Sequence, residues 1–312
     1  MSNVYTSRQL ADLLLSTSFS NKELGQNFII DDSIIDYIGD LAQLNNPEKG
    51  RKILEIGLGP GALTQKLLEY EHQVVGIEID PSICEHITHV FEKEIKSKKL
   101  ELIEGDVLNI NWPTEITDVV ANIPYQISSP LLEKITQICK LGEGPNKCVF
   151  MFQEEFAKRV CADNSSDRGP LWVTISLDWE VTLGKKISPS SFKPQPKIDS
   201  RIASFSRRDL LNSEQITELL NSKNLEKPNS RLIRAISSAS FNQRRKKIRN
   251  TLKRQPSKLK IKHGYDPKIW ENIVNKAFLM MGDDFSNYRP EQLSLENWIE
   301  FSAQIEHYRK EL

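Results

Sequence analysis

The run ILEIGLGPGALT, residues 53–64, is the feature of this 312-residue chain that most constrains its fold. It begins as an apolar segment that ends in an acidic residue, passes through a glycine-rich turn and enters the first turn of a helix. Glycines in such a turn let backbone N–H groups approach a ligand closely. The run therefore predicts a strand–turn–helix unit with a ligand site at the turn.

Alternating apolar runs and helical patterns continue from this unit to about Phe205. Short, nearly all-apolar runs cover residues 53–56, 74–79, 119–121 and 148–152, and a further strand-like run covers 100–103. Between them, apolar residues spaced three or four apart predict helices with one buried face. This is the rhythm of βα units around a mainly parallel sheet, so we expect an α/β, Rossmann-like domain.

Strand signals disappear after residue 208, where only helical patterns follow. These patterns lie near residues 214–220, 231–252, 267–278 and 291–307. Two further helices are expected before the sheet, over residues 7–15 and 32–41. We therefore expect residues 1–207 to form the Rossmann-like domain, N-terminal helices included, and residues 208–312 to form a smaller all-helical domain.

The charge of the chain is balanced in total but uneven along its length. Lys and Arg number 42, and so do Asp and Glu, yet residues 230–262 hold twelve Lys or Arg and no acidic residue. A merely solvated helical face normally mixes the two signs. The stretch therefore predicts a basic surface that binds the phosphates of a nucleic acid.

Several classes of function are disfavoured by the sequence. No window approaches the roughly 18 to 20 apolar residues of a membrane span, and no signal peptide is recognisable. We therefore expect a cytoplasmic protein without a membrane partner. The four cysteines show neither a C-x-x-C pair nor neighbouring histidines, which predicts reduced thiols and no metal site; they are Cys84, Cys139, Cys148 and Cys161.

Acidic residues stand at three strand-like runs. Glu55 lies just before the glycines, Glu78 lies nineteen residues after Gly59, and Asp106 follows the run 100–103. A carboxylate at the position of Glu78 can accept hydrogen bonds from both hydroxyls of an adenosine ribose. The glycine spacing also fits a dinucleotide site, so a dehydrogenase stays open at this point. Carboxylates at Glu55 and Asp106 favour a cofactor that carries an ammonium and a sulfonium.

The tetrapeptide Asn122-Ile123-Pro124-Tyr125 directly follows the strand 119–121, at the end where open α/β sheets bind ligands. The Asn122 oxygen and a backbone carbonyl at Pro124 can each accept one hydrogen of an adenine amino group, which turns its lone pair toward a methyl donor. Tyr125 offers an aromatic face to an extruded base. The turn predicts methylation of a nucleobase amine.

These stretches resemble the ribosomal RNA adenine dimethyltransferases, the KsgA family, over about residues 22–300. The matching stretches are GQNF (25–28), EIGLGPGALT (55–64), Glu78 with Gly105-Asp106, NIPYQISSPLL (122–132), FKPQPKIDS (192–200) and AISSASFNQRRKKIRNTL (235–252). The resemblance implies a class I S-adenosylmethionine-dependent methyltransferase domain. It also implies dimethylation of two adjacent adenines in a loop near the 3′ end of small-subunit ribosomal RNA, in ribosome biogenesis.

The resemblance also assigns roles to individual residues. S-adenosylmethionine would be held by Gln26, Asn27, Glu55, Gly57, Gly59, Glu78, Asp106 and Asn122. The target adenine would be held by Asn122, Pro124, Tyr125 and Phe192, the last as the second wall of a base sandwich. Ribosomal RNA of an immature small subunit would contact Arg244, Arg245, Lys246, Lys247 and Arg249. A monomer without a metal is expected.

Two other functions stay open, and one segment departs from the family pattern. A large-subunit ribosomal RNA adenine methyltransferase is one alternative, for which the basic tract is a poorer match. The other is a non-catalytic assembly or transcription factor that binds ribosomal RNA, which would have no use for Glu78, Asp106 and the NIPY turn. Residues 163–171 lack the usual Arg-Leu-Ser tract, a difference that bears on the register of the substrate.

Overall fold

The structure is a computed structural model that describes residues 5–17, 26–44, 51–70, 72–259 and 266–311. The described residues fall into two compact units. The first contains those of 1–157 and 181–207, and the second those of 158–180 and 208–312. The expected division thus differs in the segment 158–180. Its residues Trp172, Val173 and Leu177 are buried in the same apolar cluster as the C-terminal helices, which explains the difference.

Strands and helices alternate up to about residue 207, and helices follow after residue 208. The strands are β1 (Phe28–Ile29), β2 (Lys52–Ile56), β3 (Gln73–Glu78), β4 (Leu100–Glu104), β5 (Asp118–Asn122), β6 (Lys147–Gln153), β7 (Trp179–Ile187), β8 (Phe192–Lys193) and β9 (Ser200–Arg207). The helices are α1 (Ser7–Thr17), α2 (Asp32–Leu41), α3 (Ala62–Leu68), α4 (Pro81–Val90), α5 (Glu92–Lys96), α6 (Ser128–Lys140), α7 (Glu154–Cys161), α8 (Pro170–Ser176), α9 (Glu214–Ser222), α10 (Ser230–Phe241), α11 (Ile248–Thr251), α12 (Pro267–Met280) and α13 (Leu295–Lys310).

The main sheet of the first unit has seven strands among the described residues, in the order β4-β3-β2-β5-β6-β9-β7. The neighbours from β4 to β6 pair in parallel, and β9 pairs antiparallel with β6. The mainly parallel α/β sheet is therefore confirmed. Strand order reverses between β2 and β5, and in such sheets ligands bind at the carboxyl ends of the strands beside this reversal.

The predicted strands form because their side chains are covered on both faces. On β2, for example, Ile53 and Leu54 are completely buried. Helix α4 begins at Pro81, a residue suited to a first helical position, and the Asp80 side chain accepts a hydrogen bond from the backbone of Ser82. The predicted strands and helices at the glycine turn and around it are thus confirmed, with ends that differ by a few residues.

A buried ion pair ties the amino ends of the central strands together. Arg51, just before β2, donates to both carboxylate oxygens of Asp118 on β5, at 2.9 and 2.6 Å. The same guanidinium donates to the backbone carbonyls of Ala42 and Gln43, each at 2.8 Å. Because these four hydrogen bonds all come from the buried Arg51 guanidinium, they fix the segment after α2 to the sheet, at the edge opposite the ligand site.

The second unit is built from helices and turns, apart from the first residues of β7. Trp270, Trp298 and Phe301 are among its buried side chains. The single helical pattern expected over residues 231–252 is wrong in detail, because α10 and α11 are separated by a turn over 242–247. Those six residues are all polar or charged and offer no apolar face to bury, so a helix gains nothing there from packing.

Several expectations concern features other than the sheet. All four cysteines carry free thiols, and three of them are buried. Among the residues that the structure describes, none of the helices has the length and apolar character needed to span a bilayer. Gly25 of the GQNF stretch, the N-terminal residues 18–22 and residues 260–262 of the basic stretch lie outside the described residues.

Candidate active site

A cavity of about 220 Å³ opens at the carboxyl ends of β2, β3, β4 and β5, within the first unit. Most of its walls come from residues 26–29, 55–60, 62–63, 77–79, 105–107 and 122–127, and Ile35 and Ile83 complete the lining. The structure thus brings together ten predicted site residues. These are Gln26, Asn27, Glu55, Gly57, Gly59, Glu78, Asp106, Asn122, Pro124 and Tyr125.

The glycine turn after β2 forms the floor of the cavity. Gly57 and Gly59 have φ angles of +72° and +53°, a left-handed backbone conformation that residues with a side chain rarely adopt. A Cβ on Gly59 would also lie 3.1 Å from the ring of Phe28. The Gly57 N–H donates to the Ile77 carbonyl at 2.9 Å, which holds the turn against β3. The backbone conformation therefore favours glycine at both positions, and at Gly59 the nearby Phe28 ring also leaves little room for a side chain.

Glu78, at the end of β3, is buried and held by backbone donors. One carboxylate oxygen accepts hydrogen bonds from the N–H groups of Ile79 and Asp80, at 2.8 and 3.0 Å. The other accepts from Gly59 N–H at 3.3 Å. Burial raises the pKa of Glu78, and these backbone bonds oppose the rise. A carboxylate oxygen can accept more than one hydrogen bond, so this fixed group can also receive the two hydroxyls of a ribose.

Glu55, at the end of β2, is the most enclosed acid of the cavity, with 1% of its surface exposed. Its Oε2 has no hydrogen-bond partner among the described residues. Burial raises the pKa of Glu55 to about 8; the neighbouring Thr64 opposes the rise and the nearby Glu78 carboxylate adds to it. A buried acceptor without a donor is costly, and a cationic group in the cavity would relieve that cost.

Asp106 lies on the cavity wall after β4, at the start of a short loop. Its Oδ1 accepts from the Leu108 N–H at 2.9 Å, and its Oδ2 accepts from the Asn109 side-chain amide at 2.6 Å. The Gly105 N–H donates to the Glu78 carbonyl at 2.8 Å. The two acids predicted to flank an adenosine are thus joined through the backbone of adjacent strands.

Asn122, the last residue of β5, has an oriented side chain. Its Nδ2 donates to the backbone carbonyl of Asn27 at 3.0 Å. The neighbouring Gln26 donates from Nε2 to the Asp80 carboxylate at 2.7 Å. Residues 26 and 27 therefore bridge the ends of β3 and β5. With its nitrogen engaged, Asn122 has its Oδ1 available to accept a hydrogen bond from a ligand.

The turn that follows Asn122 is also fixed by hydrogen bonds. The Pro124 carbonyl accepts from the Ile127 N–H at 3.1 Å and keeps a second lone pair for another donor. The Tyr125 hydroxyl lies 2.7 Å from Ser200 Oγ, at the start of β9. Burial raises the pKa of Tyr125, so this phenol stays protonated at neutral pH. The NIPY and FKPQPKIDS stretches thus meet through the Tyr125–Ser200 contact.

Phe192 is the one predicted target-binding residue that the structure does not place on the cavity lining. Its backbone pairs with Ile29 in the small β1–β8 sheet, and the residue is 2% exposed. Phe28 and Ile79 are two of the apolar wall residues that the sequence did not single out. Phe28 stands in the GQNF stretch, and Ile79 is 47% exposed at the cavity although it ends an apolar run. An exposed large apolar side chain at a cavity is itself a sign of a ligand surface.

The basic tract of the second unit is only partly available to a ligand. Arg244 contacts the Glu291 carboxylate at 3.3 Å and donates to the Ser166 carbonyl. Lys247 and Arg249 both donate to the side-chain oxygen of Asn287. Arg245 and Lys246 are exposed, and none of the hydrogen bonds or ion pairs seen among the described residues engages their side chains. The five predicted RNA ligands therefore divide into three whose side chains have internal contacts and two whose side chains have none among these residues.

Residues 163–171, which differ from the family pattern, form a loop that is held within the second unit. The Arg168 guanidinium lies 4.9 Å from the centre of the Trp172 ring and donates to the Leu293 carbonyl at 3.2 Å. Together with the bond from Arg244 to Ser166, these contacts fix the loop to the segment 291–293. Arg244 thus has a structural role that the sequence did not reveal.

The fold and the cavity define the class of the protein. A doubly wound sheet, a glycine turn and acids at successive strand ends form a class I methyltransferase domain, and solved structures agree. The chain is similar to a dimethyladenosine transferase from Plasmodium falciparum, with a TM-score of 0.70, 24% identity and coverage of 90% of this chain and 98% of that one. It is also similar to the 23S rRNA methyltransferase ErmE, with a TM-score of 0.60, 25% identity and coverage of 90% and 100%.

Sequence comparison gives the family. The family model described as ribosomal RNA adenine dimethylase matches residues 18–277. Proteins called ribosomal RNA small subunit methyltransferase A are similar as well. The one from Mycoplasmopsis synoviae (strain 53) is 35% identical over 79% of this chain and 87% of its own. The one from Clostridium botulinum (strain Kyoto / Type A2) is 30% identical over 90% and 92%. The chain belongs to the ribosomal RNA adenine dimethylase family.

Proposed function

We propose that this protein transfers methyl groups from S-adenosylmethionine to the N6 atoms of two adjacent adenines, in a loop near the 3′ end of small-subunit ribosomal RNA. The observation that carries the proposal is the position of Asn122, whose Oδ1 is available on the same cavity that Glu78 and Asp106 line. The names of the bacterial relatives support small-subunit RNA as the substrate.

The residues of the cavity fit S-adenosylmethionine. Glu55 offers a buried oxygen without a partner, which suits the ammonium of the methionine part. Glu78 is held by three backbone donors in an orientation that can receive the ribose hydroxyls, and Asp106 would accept the adenine amino group. The glycine turn leaves room for close approach of the ligand. When bound, the cofactor supplies an electrophilic methyl group on a sulfonium.

The residues of the NIPY turn would orient the target amine. Asn122 Oδ1 accepts one amino hydrogen, and the Pro124 carbonyl accepts the other with its second lone pair. The nitrogen lone pair then faces the methyl group, and positioning of this kind supplies much of the catalysis. No His or Lys lines the described part of the cavity. None is required, because the methylated nitrogen is strongly acidic and loses its proton without a strong base.

Aromatic and basic side chains would hold the RNA. Tyr125, fixed by its bond to Ser200, offers a ring to the extruded base. Phe192 is buried, so its role as a second wall requires that it be uncovered when RNA binds, and that role stays a prediction. Arg245 and Lys246 are exposed cations whose side chains suit phosphates. The division of labour between residues 1–207 and 208–312, the immature small subunit as partner, a monomeric state and a cytoplasmic location also stay predictions.

The proposal is tested by transfer of labelled methyl groups to purified small ribosomal subunits that lack the modification. We expect transfer by the unaltered protein and none by Asn122→Ala, while both bind the subunit with nearly equal affinity. Equal loss of binding and transfer in Asn122→Ala would contradict the assigned role. Transfer to large subunits alone would instead support the large-subunit alternative.

A further inference from the structure

Lys134 stands outside every predicted role, yet its ammonium group is anchored beside the cavity. It lies on α6 and donates to the backbone carbonyls of Leu108 and Ile110, at 3.1 and 2.5 Å. No ion pair of Lys134 with a carboxylate is found among the described residues. A cation that is placed on two neutral carbonyls holds the backbone that carries them.

The loop held by Lys134 is the one that begins with Asp106. The Trp112 Nε1 donates to the Val107 carbonyl at 3.0 Å, and the Lys134 ammonium lies 5.9 Å from the centre of the Trp112 ring. Asp106 closes the other side of the loop by accepting from the Leu108 N–H. Burial lowers the pKa of Lys134 and the Asp106 charge opposes this, so the lysine has been partly withdrawn from water to make these contacts.

Helix α6 connects this loop to the reaction turn. The helix begins at Ser128, directly after the turn of residues 122–127, which also lines the cavity. Lys134 is six residues further along the same helix, so α6 connects the turn at its first residue to the lysine that holds the loop. A shift of the loop would move Asp106 and Val107 on the cavity wall, whereas the bond from Gly105 to the Glu78 carbonyl precedes the loop and would keep Glu78 in place.

We propose that Lys134 is a positioning residue that sets the specificity of the cofactor site for adenine, by fixing the loop 106–112 to the helix that follows the reaction turn. The proposal rests on the proposed S-adenosylmethionine site, in which Asp106 accepts the adenine amino group. Lys134 itself touches neither cofactor nor substrate. Its removal loosens the contact with the base and leaves the methionine and ribose contacts in place.

The test compares two ligands that differ only at the edge of the base that Asp106 would contact. S-adenosylhomocysteine carries an amino group at C6 beside an unprotonated N1, and S-inosylhomocysteine carries a carbonyl oxygen at C6 beside a protonated N1. For the unaltered protein we expect tighter binding of the adenosine compound. In Lys134→Met we expect that compound to bind about tenfold more weakly, with less than about a threefold change for the inosine compound, because one charge-assisted contact is lost on one part of the site.

Matched variants separate positioning from general stability. Lys134→Arg keeps a long cationic donor and is expected to restore most of the preference. Lys140→Met removes an exposed lysine from the same helix and is expected to change neither affinity. Amide hydrogen exchange followed by mass spectrometry is expected to show faster exchange over residues 106–112 in Lys134→Met, with residues 53–64 unchanged.

The possible outcomes distinguish this inference from the proposed function. If the unaltered protein binds neither compound, the cofactor assignment itself fails. If it binds S-adenosylhomocysteine and Lys134→Met weakens both compounds equally, or neither, the role of Lys134 is overturned. Should Lys134→Met not fold, Trp112→Phe removes another side-chain hydrogen bond of the same loop, the one to the Val107 carbonyl, and is expected to give the same selective loss. An unchanged preference in that variant would also contradict the inference.

Discussion

The burial of Glu55 leads us to expect that the affinity for the cofactor depends on pH. Its carboxyl group has a pKa raised to about 8, mainly by burial and also by the charge of Glu78. It is therefore largely uncharged in the ligand-free protein near neutral pH. An ammonium group beside Oε2 favours the ionised form, so binding of S-adenosylmethionine releases the proton. Affinity should rise with pH because fewer protons remain to be displaced.

The size of the effect follows from that pKa. If the bound state requires the carboxylate, the apparent Kd exceeds its limiting value by a factor of 1 plus 10 raised to the power 8 minus pH. The factor is about 100 at pH 6 and about 11 at pH 7, so binding strengthens about ninefold over this interval. An α-amino group with an ordinary pKa near 7.7–8.0 stays mostly charged over the same interval.

Isothermal titration calorimetry with S-adenosylmethionine at pH 6.0, 6.5 and 7.0 measures this dependence. Repeating each titration in two buffers of different ionisation enthalpy gives the number of protons released, which should be close to one. Glu55→Gln cannot ionise and should show a nearly constant Kd. A wild-type Kd that varies less than twofold, without proton release, would refute the reasoning, and so would an equal slope in Glu55→Gln.

Three further variants test other parts of the structure. Asp118→Ala leaves Arg51 buried without its partner and is expected to lower the free energy of unfolding in urea by about 3–5 kcal/mol. Gly59→Ala places a Cβ at φ +53° against the ring of Phe28 and should weaken cofactor binding at least tenfold in the same calorimetric titration. Arg245→Ala with Lys246→Ala should reduce the salt dependence of RNA binding, making the negative slope of log K against log salt about 1.4 to 1.8 less steep.

Each of these predictions has its own control. Asp118→Asn keeps part of the hydrogen bonding and should cost less than Asp118→Ala; an equal or larger cost would contradict the ion-pair account. Gly142→Ala meets the same backbone strain at φ +85° on open surface, so it should leave cofactor affinity unchanged. Arg244→Ala removes a side chain that has internal contacts, so it should speed amide exchange over residues 163–169 and change the salt slope less than the double variant does. A larger change of the salt slope in Arg244→Ala than in the double variant would show that the contacts to Glu291 and Ser166 do not persist in solution.

The sheet around the site was predictable because burial on both faces leaves a clear mark in the sequence. Strands β2, β3, β5 and β6 are short, almost wholly apolar runs, and each was found near its expected bounds. Strand β7 was not recognised, because its buried and exposed residues mix and it carries Lys185 and Lys186. Its place at the sheet edge depends on pairing with β9, which no local pattern encodes.

The site was predictable to the extent that its residues follow strand ends. Glu55, Glu78 and Asn122 end parallel strands, so their convergence follows from the topology. The orientation of Asn122 could not be foreseen, since it depends on a carbonyl 95 residues earlier in the chain. The internal contacts of Arg244 and the burial of Phe192 also arise from residues distant in sequence. The break at residues 242–247 was missed because a basic pattern alone does not distinguish a turn from a helix.

The central claim is that the NIPY turn presents adenine N6 of small-subunit ribosomal RNA to a methyl donor. Mass spectrometry of nuclease-digested small-subunit RNA tests it most directly, on cells that carry the wild-type gene, a deletion, or a deletion complemented with Asn122→Ala. We predict two adjacent N6,N6-dimethyladenosines near the 3′ end in wild-type cells, and unmodified adenines at both positions in the other two strains. Dimethylation that persists in the deletion strain, or is restored by Asn122→Ala, would contradict the account.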